Sequence, residues 1–545
     1  MNGQQYKKIL QYAFARLKAN AEEVNDLNVF PIPDGDTGDN MCSTMNGGVS
    51  AVSGINDVSL KAVSIASAKG MLLNARGNSG VILSQIFAGI NDVFSTMEEA
   101  DLYDVVTALD SGVKKSYGAV EKPTEGTILT VFREAVEYAK SKSKMSDGLE
   151  FVGLLVEGAN ISLENTPELL DVLKEAGVVD SGGKGICYLL DGVLSALKGE
   201  EPDAESAHEN KAAAKDIDFS LFTEDSVMKF GYCTEFLLQL TKAKTDISKF
   251  DIDKFIADLR PLGDSIVAFL TGTVVKVHIH SFNPDRILKY ALTYGEFLTM
   301  KMENMTLQHN ETLVEKPKYK VNNKRKKYGV VTVATGEGLT KIFSDQGADA
   351  VIVGGQGNNP SLQEFLTAYD AVNADEIFVL PNNGNILLVA NASATEYKGS
   401  KIWVVPSKSL GEGYAALSML DLTLPTGQEV FACMVDNMSV ATTGMICKAT
   451  REANINSVEI KKADYVGFSG KNMLCDHPER LQAAKTLLEK LDLSEKDFLI
   501  ALYGKNTDQA ERDEFEDFIA KNHPNIEFYG VDGGQDVYDY VFILE

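Results

Sequence analysis

The stretch Asn28-Val29-Phe30-Pro31-Ile32-Pro33-Asp34-Gly35-Asp36-Thr37-Gly38-Asp39-Asn40-Met41 alternates carboxylates, glycines and an amide behind two prolines. Asp34 and Asp36 stand two apart across Gly35, so both carboxylates can address one hard cation, while Gly35 and Gly38 permit the tight turning this requires. Mg²⁺ suits such a pair. It takes one or two protein carboxylates, keeps several waters and fills its remaining positions with nucleotide phosphate oxygens. An ordinary Asp/Gly/Asn surface turn is the plainer reading of the same residues. An EF-hand loop is excluded, because no glutamate stands at its twelfth position and the prolines spoil an entering helix.

Three more glycine-rich turns stand before helical patterns. Ala75-Arg76-Gly77-Asn78-Ser79-Gly80 precedes the apolar run Val81-Ile82-Leu83-Ser84-Gln85-Ile86-Phe87. A glycine loop that enters a helix offers free N–H groups and the positive end of the dipole to an anion. The loop lacks the Gly-Lys-Ser/Thr of a P-loop, and no strand precedes it as a dinucleotide fingerprint requires. Glu125-Gly126-Thr127-Ile128-Leu129-Thr130 and Gly177-Val178-Val179-Asp180-Ser181-Gly182-Gly183-Lys184-Gly185 are the others. Each alone reads as a helix–helix turn; together, in one helical block, they can form a single site.

These four motifs closely resemble the ATP-binding subunit of bacterial fatty-acid kinase, whose N-terminal domain is similar to the DhaL-type (DAK2) nucleotide-binding subunit of dihydroxyacetone kinase. The resemblance runs through all 545 residues. It implies phosphoryl transfer from ATP to the carboxylate of a fatty acid carried by a separate DegV-like lipid-binding protein, and a homodimer. By the same resemblance Asp34 and Asp36 hold Mg²⁺ and Asn40 lies near the phosphates at the following helix start. Asn78, Ser79 and Gly80 contact the phosphates, and Thr127 and Asp180 lie near the nucleoside. The dihydroxyacetone-kinase relatives use a third aspartate a few residues upstream. Here that stretch reads Asn28-Val29-Phe30, so Asn28 contributes through oxygen or water, or the third ligand is missing. Asp39 stands where relatives often carry threonine and is read as a helix N-terminal charge.

The length predicts about three or four domains. A net charge of −26 argues against nucleic acid, whose phosphates reward Lys/Arg surfaces, and against broad attraction to anionic lipid. Six scattered cysteines without a CxxC pair suggest reduced thiols. The N-terminal residues lack a signal-peptide apolar core and no stretch reaches membrane-spanning length, so a cytoplasmic location without a transmembrane segment is expected.

The expected architecture is multidomain. Residues 1–200 follow the 3.6-residue period with glycine breaks, predicting an all-α DhaL-like bundle of about eight or nine helices with its loops at one end. Residues 200–216, rich in Ala, Glu, Asp and Lys with Pro202, read as a solvated linker. Residues 217–312 form a small α+β middle domain: strands near Phe230–Leu238, Ser265–Leu270 and Val274–His280, and helices Ile252–Leu259 and Pro284–Met300. The basic run Lys316–Lys327 is a second linker, able to meet an acidic partner or the protein's own surface. Residues 328–545 alternate strands and helices, with strands at Tyr328–Ala334, Ala350–Val353, Ile377–Leu380, Ile386–Val389 and Ile402–Val405. A mainly parallel α/β sheet follows. This block resembles the DegV-like fatty-acid-binding fold, but Asn359-Pro360-Ser361 stands where those carriers have a Thr-Ser carboxylate loop. Partner docking is therefore expected of it, not lipid storage.

His278 and His280 lie two apart on a strand and share a face. If the Cys233 strand pairs beside them, the trio suits Zn²⁺ with a carboxylate or water as fourth ligand. Two ordinary strand histidines beside a buried cysteine is the alternative. The resemblance adds weight to a role for Cys233, His278 and His280, as metal ligands or as organisers of the fold. No histidine precedes His208, so the bundle has no imidazole base. A carboxylate nucleophile needs none, being ionised above a pKa of roughly 4–5. A dihydroxyacetone-like hydroxyl substrate would want a base. That small-metabolite kinase and a non-catalytic nucleotide-binding scaffold are the competing readings.

Overall fold

The computed structural model describes residues 1–28, 35–56, 58–200, 232–271, 273–304, 324–418, 420–493 and 496–545. Asp34 and the linker at 201–216 lie outside them. Two compact units result: Met1–His208 together with Tyr319–Glu545, and Glu209–Lys318.

The first block is all helical: α1 (Gly3–Ala19), α2 (Ala21–Asp26), α3 (Thr37–Val52), α4 (Leu60–Leu73), α5 (Gly77–Phe94), α6 (Leu102–Gly118), α7 (Ile128–Lys142), α8 (Gly148–Leu169), α9 (Asp171–Ala176) and α10 (Ser181–Lys198). The sequence predicts eight or nine; the excess is α2 and α9, of six residues each. Reciprocal caps start α1 (Asn2 with Gln5) and α6 (Asp101 with Asp104). Leu10, Leu17, Met41, Leu83, Phe94 and Phe151 belong to one buried core. Close approach of α3 and α4 depends on Gly47 and Gly70, where a Cβ on either would lie within 2.4 Å of the other's carbonyl oxygen.

The middle unit is a four-stranded antiparallel sheet in the order β2-β3-β1-β4, from β1 (Tyr232–Leu240), β2 (Asp264–Thr271), β3 (Val274–Ser281) and β4 (Gly295–Asn304). Its helices are α11 (Ile252–Leu259) and α12 (Pro284–Ala291). The helix expected over Pro284–Met300 therefore stops at Ala291, and its second half is strand β4. β4 pairs with β1 from Leu240 with Gly295 to Tyr232 with Asn304, with a register shift that skips Leu298. Gly295 lies so close to β1 that a Cβ would meet the Gln239 carbonyl.

In the third block, β5 (Lys326–Ala334), β6 (Ala350–Val353), β7 (Ala374–Leu380) and β8 (Lys401–Val404) make a parallel sheet in the order β6-β5-β7-β8. The strand expected over Ile386–Val389 is instead the start of a helix, Leu387–Glu396. Its apolar run is too short to set a period, and Val389, Ala390 and Ser393 are buried at helical spacing. Beyond it the chain builds a second, six-stranded mixed sheet from residues 442–544, which the sequence pattern leaves unread. The end of the basic run is not linker: Lys326 opens β5 and pairs with Asp349, while Arg325 bonds Asp375 at 2.6 Å. It meets the protein's own surface.

The first and third blocks share a core. Ala75 and Val81, at the start of α5, are buried in the cluster that holds Val331, Ile352, Phe365 and Tyr369 of the α/β lobe. Two antiparallel backbone links, Leu362 N to Ala75 O at 3.3 Å and the Arg76–Ser361 bridge, stitch the segments together.

Candidate functional site

Four helix N-termini meet at one end of the bundle. Ser181 Oγ of α10 donates to Thr37 Oγ1 of α3 at 3.3 Å. Gly77 of α5 lies against Asn40 of α3, where an added Cβ would come within 2.6 Å of Asn40 Nδ2. Asp180 joins α10 to α7: its carboxylate accepts from Gly183 N at 2.7 Å and from the backbone of Ile128, next to Thr127 at the N-cap. The four glycine-rich turns read from the sequence are thus gathered into one place. Glycine is required at 77, which has φ +56° as well as no room for a side chain.

Asp36 sits at the centre of this cluster, 9% exposed, ahead of α3. It does not cap its own helix; Asn25 does, accepting from Gly38 N at 2.7 Å. Asp36 is left to use its carboxylate elsewhere. Asn40 Nδ2 donates to Oδ1 at 2.8 Å and Asn359 Nδ2 donates to Oδ2 at 2.7 Å. Asp39 accepts from Asn25 Nδ2 at 3.1 Å on the exposed side of α3, in keeping with a helix-terminal charge. Arg76, at the N-cap of α5, makes no side-chain cap, so the first-turn N–H groups of Gly77, Asn78 and Ser79 are not closed off by it. Gly80 lets α5 approach α3, since a Cβ there would meet Thr44 Oγ1 at 2.6 Å. Lys184 turns away from the cluster and pairs with Glu23 at 3.1 Å.

The sequence does not join the helical site to the α/β lobe. Its loops after β6 and β7, at the ligand-facing edge of a parallel sheet, point at the bundle. Asn359 reaches Asp36, Arg76 Nη1 donates to the Asn359 carbonyl at 2.7 Å, and Asn78 Nδ2 stands 3.5 Å from Asn385 Oδ1. The side-chain oxygens of Asn78 and Asn359 are buried without a hydrogen-bond partner among the described residues. Within the lobe the crevice at the strand ends is nearly filled. Asn382 bonds Thr332 Oγ1 at 2.8 Å, the Val333 carbonyl at 2.9 Å and Ser407 Oγ at 2.8 Å. A polar cavity of about 60 Å³ remains.

Burial raises the Asp180 carboxyl to about 6, against its backbone hydrogen bonds, which pull the other way. Between about pH 4 and 6 the folded chain keeps a proton that the unfolded chain has released, so Asp180 makes stability fall as pH rises. The cost reaches about 3 kcal/mol once both states are ionised. Asp180→Asn keeps the capping oxygen and is expected to remove this slope. Urea melts at pH 4 and pH 7 check it: the variant gains on the parent at the higher pH, and parallel curves would refute the assignment.

A larger cavity, about 390 Å³, lies inside the bundle among Leu10, Leu83, Phe94, Phe151, Leu155 and Leu190. Its lining is apolar apart from Tyr6 and Asp101 and includes none of the residues at the gathered helix starts. No cationic side chain lines it.

In the middle unit β1 pairs with β3 as the metal reading requires. Cys233 stands opposite His280 and Glu235 opposite His278, and Cys233 also faces Glu303 across β4. The side chains of Cys233, His278 and His280 lie outside the described ones.

A glycine-turned helical bundle joined to a parallel α/β lobe defines the class, and the DAK2 domain model matches residues 31–195. The models for the FakA-like fatty acid kinase middle domain and C-terminal domain match residues 229–312 and 329–545. Protein YloV of Bacillus subtilis (strain 168) is 37% identical over 562 residues, covering 100% of this chain and 99% of its own. The chain belongs to the FakA-like fatty acid kinase family. Among solved structures, the dihydroxyacetone kinase of C. freundii in complex with AMP-PNP and Mg²⁺ overlaps 35% of this chain and 33% of its own at 19% identity and TM-score 0.28. A fatty-acid-binding DegV family protein from Thermus thermophilus overlaps 40% and 99% at 14% identity and TM-score 0.31. No helix among the described residues is long and apolar enough to cross a membrane.

Proposed function

We propose that the chain transfers the γ-phosphoryl group of ATP to the carboxylate of a fatty acid presented by a separate DegV-like lipid-binding protein, giving an acyl phosphate and ADP. The observation that carries this reading is the buried Asp36 carboxylate at the meeting of four helix N-termini, in contact with Asn359, whose amide oxygen is buried without a partner among the described residues. The donor set fits a Mg²⁺–nucleotide. A carboxylate oxygen can serve more than one partner, amide oxygens are hard ligands, and helix N-termini favour phosphate. Asp34 and Asp36 hold the cation, whose charge offsets that of the phosphates. Asn40, Asn78, Ser79 and Gly80 line the phosphates, and Thr127 and Asp180 lie toward the nucleoside.

No imidazole serves the bundle, and none is needed. The acyl carboxylate is already the nucleophile: its oxygen bonds to the γ-phosphorus as the bond to the β-phosphate oxygen breaks, with no proton to remove. Catalysis rests on alignment and charge. The chain acts in the cytoplasm as a homodimer, and the α/β lobe docks the carrier. Purified chain given ATP and carrier-bound fatty acid, dihydroxyacetone, or neither, tests the reading. Acyl phosphate in the first arm alone supports it, turnover only with dihydroxyacetone favours the small-metabolite kinase, and binding without turnover a scaffold.

Cys233, His278 and His280 hold one zinc ion in the same proposal, supported by the pairing of their strands. Elemental analysis is expected to find roughly one zinc per chain. A metal-free, fully active preparation leaves the trio a hydrogen-bonding role.

A further inference from the structure

We infer that the cation site is composite: Asn359, from the α/β lobe, is an oxygen ligand of the divalent cation that Asp36 binds, and its amide turns over when the cation arrives. The inference rests on the nucleotide-site reading above and adds a ligand from the other end of the chain. It also couples the lobe to the occupancy of the site.

Asn359 is 2% exposed, and its Nδ2 lies 2.7 Å from Asp36 Oδ2. That end must be the nitrogen, because an oxygen there would oppose a carboxylate. The other end, Oδ1, is buried with no partner among the described residues. A buried amide oxygen without a donor is costly and calls for an occupant. The Asn78 Oδ1, in the first turn of α5, is in the same condition. The amide that already contacts the carboxylate thus carries a hard oxygen donor held by nothing else among the described residues, which a cation on Asp36 can recruit.

The backbone around Asn359 is held independently of its side chain. Arg76 Nη1 grips its carbonyl at 2.7 Å and the same guanidinium also lies 3.5 Å from Glu364. Pro360 follows it, and the next residue pairs with Arg76. Gly77 closes the other side, since a Cβ there would lie 3.1 Å from Asn359 Nδ2. The side chain is therefore fixed in place but keeps its last torsion. While Asp36 carries no cation, the N–H end faces the carboxylate. A dication on Asp36 repels that end and attracts the oxygen, and a half-turn exchanges the two without changing volume. Asn359 so reports to the lobe whether the site is filled.

The test uses the full-length protein with Mn²⁺ as the probe, titrated by electron paramagnetic resonance in the presence of AMP-PNP, and melting in EDTA. Asn359→Ala is expected to weaken Mn²⁺ binding by about ten-fold, as losing a ligand or its support does. Asn359→Asp places a second carboxylate against Asp36. It is expected to melt lower than the parent in EDTA, to regain that loss with Mn²⁺, and to bind Mn²⁺ more tightly. A purely structural Asn359 would make both variants melt lower and leave Mn²⁺ affinity alone. If Asp36→Asn abolishes Mn²⁺ binding while both Asn359 variants bind like the parent, this inference is overturned and the nucleotide site stands. If Asp36→Asn itself binds Mn²⁺ like the parent, the nucleotide-site reading fails, and this inference with it. Should Asn359→Asp not fold, Asn359→Ala still decides.

Discussion

Replacing Asp36 with asparagine is expected to lower turnover by about 30- to 1,000-fold, equivalent to about 2–4 kcal/mol of transition-state stabilisation. The substitution conserves shape and removes the charge that would hold the cation. It also reaches the fold. Asp36 accepts from two amides, Asn40 on one oxygen and Asn359 on the other, and an asparagine has only one oxygen. One buried amide then loses its acceptor, at a cost of about 1–3 kcal/mol. The rate should therefore be compared at a temperature where melting curves show both proteins folded. Near-normal turnover by the folded variant would remove Asp36 from the chemistry.

Free fatty acid dispersed in detergent is expected to be a poor substrate, slower by at least about a thousand-fold than the same acid on its carrier. Two features motivate this. The apolar cavity of the bundle has no cationic side chain to hold a carboxylate, and the crevice of the α/β lobe keeps only about 60 Å³ because Asn382 and its partners fill it. Neither pairs an acyl-sized space with a cationic side chain for the head. Drawing the chain out of a micelle costs about 0.8 kcal/mol for each methylene brought into water, and alignment of nucleophile with phosphorus is where most of the rate lies. Acyl-phosphate formation measured with and without carrier decides the matter. Efficient turnover of dispersed acid by the chain alone would overturn the two-protein mechanism.

The helical site was legible because its signals are local. A glycine turn and the helix it opens are written in consecutive residues, so the four starts near Thr37, Gly77, Ile128 and Ser181 can be read singly. Their convergence follows once one bundle is assumed. The sequence offers the pairing of the Cys233 and His280 strands only as a condition, and their register comes from the structure. What was hidden depends on distance or on ambiguous period. Asn359 meets Asp36 across more than half the chain, and nothing near either residue announces the other. Asn25 caps α3 in place of Asp36, a substitution that only packing reveals. Ile386–Val389 and the second half of Pro284–Met300 are short stretches whose pattern fits helix and strand alike. In each case the burial of neighbours decided.

The shared core of bundle and α/β lobe has a consequence for how the molecule is made. Ala75 and Val81 leave the ribosome early, but the residues that cover them, such as Phe365 and Tyr369, are synthesised nearly three hundred positions later. At about 5–20 residues per second, that apolar face of α5 waits roughly 15–60 s for its cover. A chain terminated after the bundle would carry the exposed face permanently. Limited aggregation of prematurely ended chains, relieved by supplying residues 324–545 in trans, is the behaviour this order of synthesis entails.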